Sequence, residues 1–284
     1  MKNFLGKISE SKLKIICLIT LFIIIQTFLL IRFHKYANLP NQAYKSYTYT
    51  TPAPTLRDIT PKMAIIIDDF GQSRKGVKEI MSIQKPLTFA IMPFLDFSKQ
   101  DAVNAHEKGF EVMVHLPMQS TDSDIAAWLG PQPITLSLTD AEIKRTVLES
   151  IDAIPYAAGV NIHMGTMASE NERLMSRVME TVKERNLYFI DSKTSSNSIC
   201  RTAAEKTGIP FAERDIFLEN AAKDKLYIEN QLEHASRIAV KKGKAVVIGH
   251  VGAAGGEITA RTIKEMIPVI ESKGISLVFA SKII

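Results

Sequence analysis

Between residues 63 and 279 the chain alternates eight short apolar runs with segments of helical periodicity, and this alternation limits the fold more than any other feature. The runs lie at 63–68, 87–92, 110–115, 158–163, 187–191, 209–212, 245–250 and 275–279. Runs of this length, rich in Val and Ile, read as strands buried on both faces, the pattern of a parallel sheet. Leu174, Met175, Val178 and Val182 share one helical face, and Ile263, Met266, Ile267 and Ile270 share another. Thr139-x-x-Glu142 and Ser169-x-x-Glu172 read as capping boxes that open helices. Gly109, Gly208, Gly243 and Gly274 follow helical segments, where a C-terminal cap is needed. The fold class predicted is α/β: a (β/α) barrel of seven or eight strands, regular or not, with a doubly wound open sheet as the alternative.

The N-terminus is different. Residues 1–14 are short and basic, and Ile15 to Ile31 carry no charge. As a helix, that run reaches roughly 25 Å, enough for a bilayer with Lys14 and Arg32 snorkelling at its ends. The expectation is a membrane anchor at 15–32 with its N-terminus in the cytoplasm and the bulk outside. A cleaved signal peptide followed by secretion is the alternative, but Arg32-Phe33-His34-Lys35 is not a small-x-small site. Residues 33–61 lack periodicity, are spaced by prolines and read as an extended stalk, leaving 62–284 as the folded domain.

The net charge of +5 misleads about partners. Lys2, Lys7, Lys12, Lys14, Arg32 and Lys35 against Glu10 account for all of it, and the remainder is balanced. A balanced body argues against nucleic-acid binding, which needs a basic face. Cys17 falls in the anchor and Cys200 in the body, so no disulfide framework is expected.

The chemistry-bearing residues gather at the ends of the runs. Ala64-Ile65-Ile66-Ile67 stops at Asp68-Asp69-Phe70-Gly71. Two acids at the edge of a core repel one another and lose solvation unless a cation compensates. The third run ends at His115, followed by Leu116-Pro117-Met118-Gln119; the fourth ends at His163, the fifth at Asp191-Ser192-Lys193, and the seventh at Gly249-His250. The sixth runs into Arg214-Asp215. In parallel α/β folds these ends converge on one face, where active sites form. Taken singly, each residue is as well explained as a helix cap or a hydrogen-bonded core group. Jointly, an Asp pair and three His suit Zn²⁺ or a similar ion. His106 and His234 fall on helices and read as surface residues. Pro117 to Leu138 is long for a βα loop, and such loops often cover active sites. Gly252-Ala253-Ala254-Gly255-Gly256 matches neither a phosphate loop nor a dinucleotide fingerprint and reads as a loop beside His250. No Gly-x-Ser-x-Gly elbow and no His-Glu-x-x-His is present.

Five segments in order, Ile67 to Gly71, Glu111 to Met118, Val160 to Gly165, Phe189 to Ser192 and Ile248 to His250, resemble the divergent polysaccharide deacetylase family over about residues 62–283. The resemblance implies a metal-dependent carbohydrate deacetylase, a hydrolase of C–N or ester bonds, in which Asp68 is the general base, Asp69 and His115 are metal ligands and His250 is the general acid. It also implies a divalent ion, Zn²⁺ first, with Mn²⁺ or Co²⁺ as alternatives, and an exported carbohydrate as substrate. The family's second ligand His stands four residues after the first. Here that position is Gln119, and no Arg-Pro-Pro follows the fourth run. His163 is expected to supply the missing imidazole. Asp191 is expected to orient His250 or bind sugar hydroxyls, and Arg214 to hold a carboxylate or position Asp68. Asp215 and Gln119 complete the expected surroundings, while Lys193 reads as a loop contact. A membrane-anchored glycan-binding or envelope-organising domain without catalysis is the alternative function, and a metal-dependent phosphoesterase or amidase a third.

Overall fold

The computed structural model describes residues 26–27, 60–121, 128–219 and 224–284. The expected anchor at 15–32 and stalk at 33–61 lie outside these residues, apart from Gln26, Thr27, Thr60 and Pro61. Among the described residues no helix is long and apolar enough to cross a membrane. The chain divides into units 1–56 and 57–284, and all that follows concerns the second.

The eight apolar runs form strands, joined by a short ninth. In chain order they are β1 Lys62–Phe70, β2 Thr88–Ile91, β3 Glu111–Met118, β4 Ala157–Met164, β5 Tyr188–Asp191, β6 Phe211–Glu213, β7 Ile216–Phe217, β8 Lys244–His250 and β9 Ser276–Leu277. They form one sheet in the order β6-β5-β4-β3-β2-β1-β8-β7, with β9 beside the start of β1, and every pairing is parallel. The two ends of that order are consecutive in sequence. Arg214 N donates to Asp191 O, and Asp215 N donates to Val246 O, so residues 214–215 carry the chain from β5 across to β8. Covalent continuity thus links the two edges of a curled parallel sheet, which fits a (β/α) barrel with no ladder between β6 and β7; the order does not reverse in mid-sheet, as a doubly wound sheet would. The two-residue β7 escaped the sequence reading because Ile216-Phe217 is too short for a period to register.

Period-two alternation sorts the core into two layers. Ala64, Ile66, Ala90, Met113, Ile190, Val246 and Ile248 pack together inside the barrel. Ile65, Ile67, Val112, Val114, Phe189 and Val247 pack outward with helix residues such as Leu174, Val178, Leu232 and Ile263. Both faces being covered is why these strands read as unbroken apolar runs.

Helices α1 Val77–Ile80, α2 Ser98–Glu107, α3 Asp140–Ala153, α4 Glu172–Glu184, α5 Cys200–Thr207, α6 Lys225–Lys242 and α7 Glu257–Ser272 form the outer layer. Thr139 caps α3 through the expected box: Glu142 N donates to Thr139 Oγ1, and Thr139 N donates to Glu142 Oε2. Thr139→Ala is expected to cost about 1 kcal/mol, measurable as a lower urea midpoint with an unchanged slope. The second expected box does not form. Ser169 lies in a 3₁₀ turn, Ala168–Glu170, and its hydroxyl donates to Thr166 O. Asn171 caps α4 instead, its side chain accepting from Leu174 N. Asn is as good a cap as Ser, so the Ser169-x-x-Glu172 spacing drew the expected helix start two residues early.

Candidate metal centre and active site

The inner row of each strand continues past the apolar layer into polar residues. In β1 the row runs Ala64, Ile66, Asp68; in β8, Val246, Ile248, His250; in β3, Met113, His115. Asp68 and His250 are direct neighbours across β1 and β8, and His115 faces Asn161 across β3 and β4. Asp69 is next to Asp68, so alternation would send it outward. The β1–β2 register shifts between Ile67 and Phe70, and Asp69 adopts a left-handed conformation with φ of 68°. This bulge turns the second acid back to the barrel mouth. Such a backbone costs on the order of 1–3 kcal/mol and persists where the surroundings enforce it.

Asp69 Oδ1 lies 3.3 Å from His115 Nε2 and 3.3 Å from His163 Nδ1, and the two nitrogens are 3.0 Å apart. The ring hydrogens have partners elsewhere. Asn161 Oδ1 lies 2.7 Å from His115 Nδ1, and Trp128 O lies 2.8 Å from His163 Nε2. A carbonyl oxygen only accepts, which assigns the proton of His163 to Nε2. Asn161 turns its amide nitrogen to Asp68 Oδ1 at 2.8 Å, leaving its oxygen to accept from His115 Nδ1. Two lone pairs therefore point at one another and at a carboxylate oxygen. Asp69 Oδ1 is buried and has no hydrogen-bond partner.

This donor set fits a metal ion. Three atoms about 3.0–3.3 Å apart span one face of the tetrahedron made by ligands at about 2.0–2.1 Å, the geometry of Zn²⁺ with His and carboxylate. A carbonyl or amide on the far nitrogen of each ligand His is the usual support for such a site. The electrostatics also call for positive charge. Burial opposes ionisation of Asp69, yet the imidazoles of His115, His163 and His250 hold its pKa well below the usual carboxylate value. Burial disfavours a charged His115, but the carboxylates of Asp68 and Asp69 outweigh it and raise its pKa. Asp68, 1 % exposed, has its pKa raised, chiefly by burial, against the opposing pull of His115 and His250.

His250 has a partner that the sequence reading missed. Glu219 Oε2 lies 2.9 Å from His250 Nδ1, while Glu219 Oε1 accepts from His250 N and Thr259 Oγ1 at 2.8 and 2.7 Å. Burial lowers the pKa of His250, but Glu219 foremost, with Asp69 and Asp68, carries it up to about 9. Phe217 of β7 packs against the inner layer and Glu219 follows two residues later, on a stretch too short for an alternation to register. A side chain on Gly255 would lie 2.3 Å from Thr259 Oγ1 and 2.6 Å from Glu219 Oε1, so the glycine-rich loop leaves room for this carboxylate.

Four expected neighbours sit elsewhere. Asp191 shares the outward row of Phe189; it accepts from Lys193 N and Ser198 Oγ and does not orient His250. Asp215 accepts from Val246 N and pairs with Lys242, four residues before the His250 end of β8. Gln119 Oε1 accepts from Leu136 N, bracing the long loop rather than the metal triad. Arg214 Nε and Nη2 donate to the carbonyls of Ser192 and Lys193, and its guanidinium lies 3.6 Å over the Phe217 ring, a placement that differs from the expected bond to Asp68. His106 and His234 are exposed on α2 and α6.

A family model described as divergent polysaccharide deacetylase matches residues 65–284. An uncharacterized protein of Escherichia coli K12, YibQ, is 31% identical over 211 residues, which are 72% of this chain and 62% of that protein. An uncharacterized protein of Haemophilus influenzae Rd is 29% identical over 189 residues, 66% of each chain. The chain thus spans a little under two thirds of the length of these curated relatives. Among solved structures, the uncharacterized protein ATU2773 of Agrobacterium tumefaciens C58 superposes with a TM-score of 0.71 at 18% identity, over 79% of this chain and 89% of that one. That likeness is one of fold.

Proposed function

We propose that this chain, which belongs to the divergent polysaccharide deacetylase family, is a metal-dependent hydrolase that removes acetyl groups from a carbohydrate. The observation that carries the reading is the buried, unpartnered Asp69 Oδ1 facing two imidazole nitrogens whose protons are drawn elsewhere. Asp69, His115 and His163 would hold a divalent ion. Such an ion supplies a Lewis acid that polarises the acetyl carbonyl and eases deprotonation of water.

The remaining residues divide the proton traffic. Asp68 accepts the proton of the attacking water, oriented by Asn161, which also holds His115. His250, with Nδ1 committed to Glu219, presents Nε2–H to the departing amine or alkoxide. Its pKa of about 9 keeps that proton in place at neutral pH. Asp68 and His250 stand in register on adjacent strands, and a base and an acid placed side by side favour hydrolysis over binding alone. Export of the domain and a carbohydrate substrate outside the cytoplasm belong to the same proposal, through the expected 15–32 anchor.

The test is acetate release from peptidoglycan, chitin oligomers or acetylated exopolysaccharide by the full chain loaded with Zn²⁺, Mn²⁺ or Co²⁺. Release by one loaded form is expected; none from any of them rejects the reading. Glu219→Gln supplies a second check. His250 loses its main positive shift, so the alkaline fall in kcat should move from about 9 toward the ordinary histidine value of 6.5. The same raised pKa stabilises the fold fully below about 6.5 and is lost as pH rises through about 9, so the variant should lose stability mainly at neutral and acid pH. An unmoved alkaline limb removes His250 from the acid role.

A further inference from the structure

Trp128 is the chain's single tryptophan and, at 60 % exposure, one of its largest apolar surfaces open to water. The other large exposed apolar side chains among the described residues are remote: Tyr156 precedes β4 at the opposite end of the barrel, Leu226, Val240 and Val269 lie on α6 and α7, and Ile284 is the last residue. Only Trp128 stands at the metal triad, its own carbonyl oxygen 2.8 Å from His163 Nε2.

The base beneath it is stapled to β3. Ile134 N donates to Pro117 O and Gln119 N donates to Ile134 O, both at 2.9 Å, and Leu136 N donates to Gln119 Oε1 at 2.8 Å. Two residues after Trp128, Gly130 has φ of 79°, and a Cβ there would lie 2.5 Å from Met92 Cε, so the backbone presses flat against the barrel. An indole held this way and left in water is an unsatisfied apolar face at the rim of a polar site. A sugar ring matches it. Its axial C–H groups present an apolar face to the indole, while its hydroxyls stay solvated around the edge.

We propose that Trp128 is a stacking platform for one ring of a glycan, fixing which ring stands over the Asp69–His115–His163 triad. This rests on the reading of the site as one that acts on carbohydrate, and it adds a subsite to that reading. Because the contact is to a ring face rather than to a particular hydroxyl, it selects chain position more than sugar identity. Because the Trp128 carbonyl also holds His163, ring binding and metal binding meet at one residue.

The experiment uses the emission of the full, Zn²⁺-loaded chain, in which Trp128 is the single indole. It is titrated with N-acetylglucosamine tetramer, with peptidoglycan-derived glycan and with acetylated exopolysaccharide. A saturable change in intensity or wavelength with at least one glycan is expected. By calorimetry, Trp128→Ala should weaken that binding at least tenfold and Trp128→Phe by less, with one Zn²⁺ per chain retained in both because the carbonyl remains. No saturable change with any of the three glycans overturns the proposal, whether or not acetate is released. Equal affinity of Trp128→Ala and the parent also overturns it and leaves the hydrolase reading intact. Binding that depends on Trp128 without acetate release upholds the platform and rejects the hydrolase.

Discussion

Replacing His163 by alanine is expected to leave the protein without a tightly bound divalent ion. His163 Nδ1 is 3.0 Å from His115 Nε2 and 3.3 Å from Asp69 Oδ1, and it provides one of three donors. With two donors left, affinity should fall more than about a hundredfold, beyond what loss of an outer partner costs. Metal analysis after equilibrium dialysis reads this directly. His163 lies at the barrel mouth and is only partly buried, so the melting temperature of the ion-free variant should stay near that of the ion-free parent. Stoichiometric metal in His163→Ala would remove this residue from the ligand set and leave the family's missing imidazole unreplaced.

The second large effect concerns Asp68. Asp68→Asn preserves shape and can still accept from Asn161 Nδ2, so the hydrogen bond that links it to His115 survives. What it loses is a basic oxygen. A positioned general base contributes about 10²–10⁴ in rate, and kcat for acetate release should fall by that factor while one ion per chain is kept. Parent-like turnover would place the base elsewhere, and loss of the metal would make Asp68 a ligand. The contrast with His163→Ala tests the proposed division of the Asp pair, Asp69 for the ion and Asp68 for the proton.

The barrel was legible because both faces of its strands are covered, which leaves unbroken apolar runs that need no alternation to be seen. His115, His163 and His250 were legible as polar residues ending such runs. Other features follow from geometry that a linear reading does not carry. Asp191 ends an apolar run as His115 does, but lies on the outward row with Phe189, a difference of one residue in register. Asp69 escapes the same fate only through the bulge after Ile67. Glu219 was passed over because β7 is two residues long and its pairing with β8 depends on the turn at 214–215. Asn161 stood inside a motif and was given no role, although it bonds both Asp68 and His115. Arg214 was expected to serve Asp68 or hold a carboxylate, but two of its donors bond the Ser192 and Lys193 carbonyls where the chain crosses from β6 to β7.

The central claim is that an ion held by Asp69, His115 and His163 sustains deacetylation. The most direct measurement is acetate release by the full chain, first stripped with a chelator and then titrated with Zn²⁺. No release is expected from the stripped protein, and activity should rise linearly to a plateau at one ion per chain, with the ion's anomalous scattering centred between those three side chains. Undiminished release after stripping, or a plateau reached with the ion bound elsewhere, would contradict it.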